Sequence, residues 1–375
     1  MEDTWTKFEC HEFPNLAPEF EKAGTRLAVL EMIKNGTTTF SDTGSLFFME
    51  DSIEGINEVG IKGIVGECTG DAFQPELWFL TKKTDEVLGR MEQNISRFGR
   101  KTGRRVHAGT QLCGMGDCTD ALVKGAKAIA DANQEVLFMH QCVYKSEFDA
   151  YMEKYGKSPI GHLSDLGILD EKTTLVHMIH LTDEDVNTVA GTRTNAVHCP
   201  AASLKFALGS SSVGKFPEME QKGVKIALGT DSGTWADAMD VFQLVYLAAT
   251  IHREARCEHL PINSYRAFEM ATLDGAKALG LEKEIGSLEK GKSADIVIHG
   301  TDIPECVTDF DSFTNLVYSQ RSKSVRHVMI DGEWVIRDGH AVLVDEEKIM
   351  AEAREAGKKF EEKTGYHLYS PWNVF

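Results

Sequence analysis

Three histidines and one aspartate each follow a short apolar stretch of the kind that forms buried strands: His140, His177, His198 and Asp231. A buried carboxylate is costly to desolvate unless a metal or a hydrogen-bond donor receives it. In a parallel α/β barrel, catalytic groups lie at the carboxyl ends of the strands. We therefore expect these four side chains to share one rim and to form a metal site there.

The composition excludes several classes of partner. The 375 residues carry a formal net charge of −18 with no basic stripe, which argues against nucleic acid and anionic membranes as partners. The eight cysteines are scattered without a Cys-x-x-Cys pair, which favours reduced thiols. No apolar run is long enough for a membrane span, and the start has no secretory signal pattern. We expect a cytoplasmic protein.

The elements that position these residues alternate between strand and helix. Seven strands are predicted, ending near Asp42, Gly66, Thr110, His140, His177, His198 and Asp231. A closed barrel of alternating strands and helices needs eight strands. The sequence therefore predicts an α/β fold, a TIM-like (β/α)8 barrel that is missing its first strand.

The predicted secondary structure changes after the barrel from alternating strands and helices to a small group of strands. We assign residues 1–283 to the barrel, 284–345 to a partial small β-sandwich, and 346–375 to a C-terminal helix and tail. Within the second part, Asp331 and Gly332 predict a hairpin turn between two strands. The polar segment from residue 346 to 363 predicts an exposed helix.

Four segments together resemble the amidohydrolase superfamily. Residues 198–205 (HCPAASLK) are similar to its His-Cys-Pro-x-Ser-Asn-x-Lys segment, and residues 227–231 (ALGTD) to its last barrel strand. Residues 177–182 resemble the sixth strand, and residues 286–297 resemble the return into the β-sandwich. The similarity covers nearly the whole chain and points to the branch that holds deaminases and chlorohydrolases of purines and triazines.

The resemblance implies a function and a set of roles. The activity would be hydrolysis of a C–N or C–Cl bond of a small heterocycle such as a purine, pterin or triazine, and the protein would be a homodimer. One divalent metal, Zn or Fe, would be held by His140 and Asp231. Asp231 would also take the proton from water, and His177 would orient that water. The substrate contacts would come from His198, Ser203 and Trp235.

Three departures from the family pattern bear on this prediction. The chain contains no His-x-His pair, the motif of the family's first barrel strand. The family's glutamate three residues after the fifth-strand histidine is Val143, which cannot move a proton, although Glu147 lies one turn further on. Ser203 stands where the family has asparagine. His11 is the only early histidine and an alternative ligand.

Other interpretations stay open from the sequence. The chain is alternatively a truncated or catalytically dead homologue that acts through subunit association, since a missing strand leaves open sheet edges. Asp231 could instead cap a helix, His177 could be a buried structural histidine, and Trp235 could be packing. The thiols of Cys142 and Cys199 lie next to the site in sequence and are candidate ligands.

Overall fold

A computed structural model describes residues 13–73, 75–114, 116–259, 261–308 and 310–365. His11 and the tail from residue 366 to 375 lie outside the described residues. The longer helices and the short ones at the strand ends are α1 (Pro18–Lys34), α2 (Met49–Val59), α3 (Thr84–Phe98), α4 (Asp120–Asn133), α5 (Lys145–Tyr155), α6 (Pro159–Asp165), α7 (Asp183–Thr192), α8 (Pro200–Lys205), α9 (Phe216–Gln221), α10 (Gly233–Ala236), α11 (Val241–Arg256), α12 (Ser264–Ala271), α13 (Leu273–Ala278), α14 (Ser312–Asn315) and α15 (Glu346–Thr364).

The strands form two parallel sheets and one antiparallel sheet. The parallel strands are β1 (Thr39–Ser41), β2 (Lys62–Val65), β3 (Val106–Ala108), β4 (Gln111–Gly114), β5 (Leu137–Gln141), β6 (Thr173–His177), β7 (Asn195–His198) and β8 (Ile226–Leu228). They pair in the orders β1-β2-β3 and β4-β5-β6-β7-β8. The prediction of an α/β fold with parallel strands is confirmed.

One continuous segment serves both parallel sheets. β3 and β4 are separated only by Gly109 and Thr110. The Gly109 N–H donates to the Val65 carbonyl on one side, and the Thr110 carbonyl accepts from the Phe138 N–H on the other. These two strands are therefore the two halves of the single strand that the sequence predicts near residue 110.

The central parallel strands are buried along their whole length. Every residue of β6 and β7 is buried, as expected for parallel strands that are covered on both faces. The helices α4, between β4 and β5, and α7, between β6 and β7, begin where the sequence predicts. Thr119 caps α4 by accepting from the Leu122 N–H. Thr182 and Asp185 form a reciprocal capping box at the start of α7.

The antiparallel sheet follows the parallel strands in the chain. Its strands β9 (Ile296–His299), β10 (Val325–Ile330), β11 (Glu333–Arg337) and β12 (His340–Ala341) lie in the order β12-β11-β10-β9. The β10–β11 turn has positive φ at both Asp331 (52°) and Gly332 (80°), the conformation that favours the Asp-Gly pair in hairpins. Its buried side chains, such as Val328, share one hydrophobic cluster with α1 and α2.

The last helix packs against the first. Glu346 and Glu352 of α15 form ion pairs with Lys34 and Arg26 of α1, and Ile349 is buried in the shared cluster. The polar face of α15 is thus only partly exposed. Among the described residues, no helix has both the length and the apolar character needed to cross a bilayer.

Candidate metal centre and active site

The backbone turns sharply where β5, β6 and β8 end. Cys142, His177, Met178 and Asp231 have positive φ values of 58°, 77°, 52° and 71°. Residues other than glycine rarely adopt this region, and each such residue costs on the order of 1–3 kcal/mol. Two of the four are the residues to which the sequence assigns chemistry. The fold therefore holds His177 and Asp231 in a backbone conformation that costs free energy and that sets the direction of their side chains.

The ring of His140 is oriented by the neighbouring strand. Its Nδ1 lies 2.7 Å from the carbonyl oxygen of Cys113 on β4. A carbonyl only accepts, so Nδ1 carries the proton and donates it. The Nε2 atom then keeps a free lone pair that can bind a metal. The hydrogen bond at Nδ1 fixes the ring orientation, as is usual for metal-binding histidines. Burial lowers the pKa of His140, which keeps the ring neutral.

His177 lies between His140 and Asp231. Its ring stacks on that of His140 with a centroid distance of 5.3 Å, and its Nε2 is 3.7 Å from Oδ2 of Asp231. The Nδ1 atom is buried and makes no hydrogen bond to the described residues. Burial and the neighbouring His140 lower the pKa of His177 well below its usual value. A neutral imidazole with an unsatisfied buried nitrogen suits a ligand or a proton acceptor.

Asp231 is a buried carboxyl group with few partners. Its side chain is 15% exposed, and the Ser232 N–H donates to its Oδ1 at 2.7 Å. Burial raises the pKa of Asp231 to about 7. A carboxyl group with this pKa can both accept and release a proton near neutrality. The helix-cap interpretation is not supported, because no side-chain cap bond is formed at the start of α10.

Cys199 completes the tightest cluster of potential ligands. In the part of the chain that the structure describes, one group of three or more His, Cys, Asp and Glu side chains has all its ligand atoms within 4.8 Å of one another, and it consists of His177, Cys199 and Asp231. His140 is not in this group, although its ring stacks on His177. The three members follow the adjacent strands β6, β7 and β8.

His198 faces a different set of neighbours. Its ring stacks on Phe216 at 3.8 Å, and its Nε2 lies 3.2 Å from Nε2 of His252 on α11. Sequence reasoning missed His252, although Val245, Ala248 and His252 lie at helical spacing on the buried face of α11. The structure thus places His198 beside a second buried histidine rather than in the ligand cluster.

The other two expected substrate contacts lie near the cluster in sequence but have structural partners. Ser203 is buried, and its Oγ accepts from the Ser210 N–H at 3.1 Å. Trp235 follows Asp231 in α10, and its ring packs against Phe206 with a centroid distance of 4.4 Å. Trp235 contacts the apolar cluster that contains Val143. It therefore forms part of an apolar wall beside the candidate site.

The position of the family's glutamate is apolar in this chain. Val143 is 2% exposed and packs with Ile179 and Leu208. Glu147 does not replace the missing carboxylate in a free position, because it accepts from the N–H groups of Cys142 at 3.0 Å and Val143 at 2.8 Å. Burial raises the pKa of Glu147 to about 7. This residue anchors the backbone after β5.

The residues present fit a divalent metal. His140 offers a free Nε2, His177 has an unsatisfied buried nitrogen, and Asp231 brings a carboxylate with one hydrogen-bond partner. Nitrogen and oxygen ligands of this kind suit zinc and iron. Among the described residues of this set, Nδ1 of His177 is a buried atom without a hydrogen-bond partner, and an unpaired buried polar atom costs free energy.

Comparisons with known proteins give the family. The sequence profile of the amidohydrolase family matches residues 3–335. The chain is 30% identical to a 5-methylthioadenosine/S-adenosylhomocysteine deaminase of Thermoanaerobacter pseudethanolicus, over 89% of this chain and 75% of that protein. It is 31% identical to a 5'-deoxyadenosine deaminase of Methanosarcina acetivorans, over 90% of this chain and 75% of that protein.

Solved structures share the fold. A zinc-bound adenosine deaminase from Xanthomonas campestris superposes with a TM-score of 0.85 at 24% identity, covering 96% of this chain and 80% of that one. An atrazine chlorohydrolase from Arthrobacter aurescens, complexed with zinc, gives a TM-score of 0.84 at 20% identity over 92% of this chain and 78% of that one. The chain belongs to the amidohydrolase family, and the prediction of a hydrolase acting on C–N bonds is confirmed at the level of that family.

Proposed function

We propose that this chain is a deaminase that hydrolyses the bond between the adenine ring and its amino group. The substrate is a nucleoside that is modified at its 5' position. The observation that carries the proposal is the pair formed by Asp231 and His177, a buried carboxyl group 3.7 Å from a buried imidazole at the ends of β8 and β6. The relatives supply the substrate class, since their names describe deaminases of 5-methylthioadenosine, S-adenosylhomocysteine and 5'-deoxyadenosine.

The proposed site holds one divalent metal, zinc or iron, through His140 and Asp231, with His177 beside them. When bound, this metal would supply Lewis-acid activation of the attacking water. The fit rests on the oriented ring of His140 and on the buried carboxyl group of Asp231, which lies 3.7 Å from Nε2 of His177. The solved neighbours with zinc make zinc the first ion to test.

Asp231 moves the protons in the proposed reaction. Water adds to the ring carbon that carries the amino group, and the Asp231 carboxylate accepts one proton from it. The same carboxyl group then gives a proton to the departing amine, so that ammonia leaves and a carbonyl remains. His177 stays neutral and holds the water by a hydrogen bond.

Protonation of the ring nitrogen is the demanding step for this chain. Val143 occupies the place of the family's glutamate, and the carboxylate of Glu147 is engaged by two backbone N–H groups. We therefore expect slow deamination. Displacement of chloride from a triazine needs no protonation of the leaving group, so dechlorination is the second candidate, and Val143 favours it.

The wider assembly belongs to the same proposal. The two parallel sheets would be parts of one TIM-like barrel that has seven of eight strand positions in this chain, and the antiparallel sheet would be the partial sandwich. The barrel part would span residues 1–283, the sandwich 284–345 and the helix and tail 346–375. The protein would act as a cytoplasmic homodimer.

A substrate screen tests the proposed function. Protein loaded with zinc is assayed for ammonia release from 5-methylthioadenosine, S-adenosylhomocysteine, 5'-deoxyadenosine and adenosine, and for chloride release from atrazine. We expect the 5'-modified nucleosides to be preferred over adenosine. Chloride release alone would replace the first proposal with the second. No turnover of any compound by a zinc-loaded protein would contradict both.

A further inference from the structure

The ligand set of the proposed metal site is short of one donor. A catalytic zinc site has three protein ligands and an open position. The chain has no His-x-His pair, and His140 lies outside the tight cluster of ligand atoms around Asp231. The third close donor in the described residues is a sulfur atom, that of Cys199.

The geometry around Cys199 suits coordination. Its Sγ and the ligand atoms of His177 and Asp231 lie within 4.8 Å of one another. Two ligand atoms on one tetrahedral zinc ion are roughly 3.5 Å apart, given bond lengths of about 2.0–2.3 Å. The observed spread therefore needs only a small contraction around an ion. The three residues come from consecutive strand ends, so the contraction needs no change in topology.

The surroundings leave space for this sulfur. Gly229 precedes Asp231 by two residues at the end of β8, and a Cβ atom there would lie 3.1 Å from the Cys199 Sγ. The same Cβ atom would lie 3.0 Å from Cγ1 of Val197. A side chain at this position would therefore crowd both groups. The thiol makes no hydrogen bond among the described residues, so no protein acceptor competes for it.

Cys142 is the matched comparison. It is buried and directly follows β5, as Cys199 directly follows β7, and it lies two residues after His140. It is nevertheless absent from the cluster of ligand atoms. The difference between the two thiols is therefore one of position relative to His177 and Asp231, and not one of burial.

We propose that Cys199 is a thiolate ligand of the divalent metal, together with His177 and Asp231. This inference rests on the proposed metal site. On binding, the S–H bond is replaced by a sulfur–metal bond and the proton passes to solvent. A thiolate donor favours zinc over harder ions such as magnesium. In this ligand set His177 coordinates the metal instead of holding the water, and His140 lies outside the cluster of ligand atoms.

Cobalt absorption tests the proposal without relying on activity. The full chain is stripped with a chelator and titrated with Co²⁺ alone. We expect visible d–d bands together with an intense near-ultraviolet sulfur-to-cobalt band in the wild type. The Cys199→Ser variant should lose the near-ultraviolet band and bind cobalt at least about tenfold more weakly. The Cys142→Ser variant should keep both properties.

The outcomes separate the two proposals. Visible bands without a sulfur band in the wild type would overturn the role of Cys199 and leave the metal site standing. A sulfur band that disappears in Cys142→Ser and persists in Cys199→Ser would also overturn it. No cobalt binding at all would overturn the metal site itself. If Cys199→Ser does not fold, persistence of the band after the seven other cysteines are replaced by serine supports Cys199 by elimination, and loss of the band overturns its role.

Discussion

The ends of β5–β8 and the ends of β1–β4 differ in the residue types that adopt left-handed backbone conformations. After β1 and β4, left-handed φ values fall on Gly44 (76°) and Gly114 (82°), which adopt them at little cost. After β6 and β8 they fall on His177 and Asp231. The first group of strand ends is relaxed, whereas the second holds reactive side chains in a conformation that disfavours them.

Hydrogen bonding differs in the same way. Glu67 follows β2 and is satisfied by Arg90 and by Asn94 at 3.0 Å, and Asp42 follows β1 and accepts from the Ser45 N–H at 2.8 Å. Asp231 has one backbone donor, and His177 has an orphaned Nδ1. Unsatisfied buried polar groups persist where a function requires them. This difference at the strand ends supports our proposal that the chemistry lies at the ends of β5–β8.

The sharpest test exchanges a carboxylate for an amide in each region. Asp231→Asn should lower kcat/KM by roughly 10³-fold, because the amide cannot accept a proton. Glu67→Gln should leave kcat within about tenfold and instead lower the free energy of unfolding by about 1 kcal/mol. Steady-state kinetics and urea unfolding measure the two effects. Equal losses of activity in both variants would erase the comparison.

A glutamate at position 143 should increase the rate of deamination at the site formed by the ends of β5–β8. Val143→Glu places a carboxyl group in an apolar pocket lined by Ile179 and Leu208, where burial keeps it protonated. We expect an increase in kcat for deamination of about 10²-fold, the usual size of general acid catalysis. Val143→Gln has the same shape without the acid and should show no gain. A similar rise in both variants would refute the role of the missing acid.

Substitution of Gly114 tests whether the turn at the end of β4 requires a glycine. Gly114→Ala keeps the left-handed φ and places a Cβ against the carbonyl oxygen of His140. We expect a loss of about 2–3 kcal/mol in the free energy of unfolding. Gly116→Ala is the matched control, because nothing lies within 4 Å of its added Cβ. Thermal and urea unfolding of the two variants should separate them, and equal stabilities would show that this turn tolerates a side chain.

The supporting region should also show a pH dependence of stability. Burial, together with the charge of Arg100, lowers the pKa of His107 on β3 from 6.5 to about 4. The unfolded state then binds more protons between these two values, so the free energy of unfolding falls as pH drops below about 6.5. The loss at pH 5 should be about 1–2 kcal/mol. His107→Gln should remove this share of the dependence measured by urea unfolding, whereas His140 and His177, whose pKa values burial also lowers, should keep theirs. An unchanged slope would contradict the contribution of His107.

Much of this arrangement is readable from the sequence, for a local reason. Apolar runs that end abruptly at His140, His177 and Asp231 mark strand ends, and parallel strands in chain order bring those ends together. The capping residues and the Asp-Gly hairpin are local signals as well. The predicted strands accordingly lie where the structure has them.

The rest depends on partners that are distant in the chain. His198 turns towards His252, which is 54 residues away on α11, and no local pattern connects the two. Glu147 looks like a free acid in the sequence, but backbone N–H groups after β5 engage it. The packing of α15 on α1 rests on ion pairs such as Arg26–Glu352. Position relative to other elements, rather than residue type, decided each of these.

The central claim is that the ends of β5–β8 hold one catalytic metal ion, and metal content per chain tests it most directly. The full chain is incubated with zinc, freed of excess by gel filtration and examined by elemental analysis. We predict about one zinc per chain in the wild type and in Glu67→Gln, and almost none in Asp231→Asn. A wild type that retains no zinc, or an Asp231→Asn variant that retains it fully, would contradict the account.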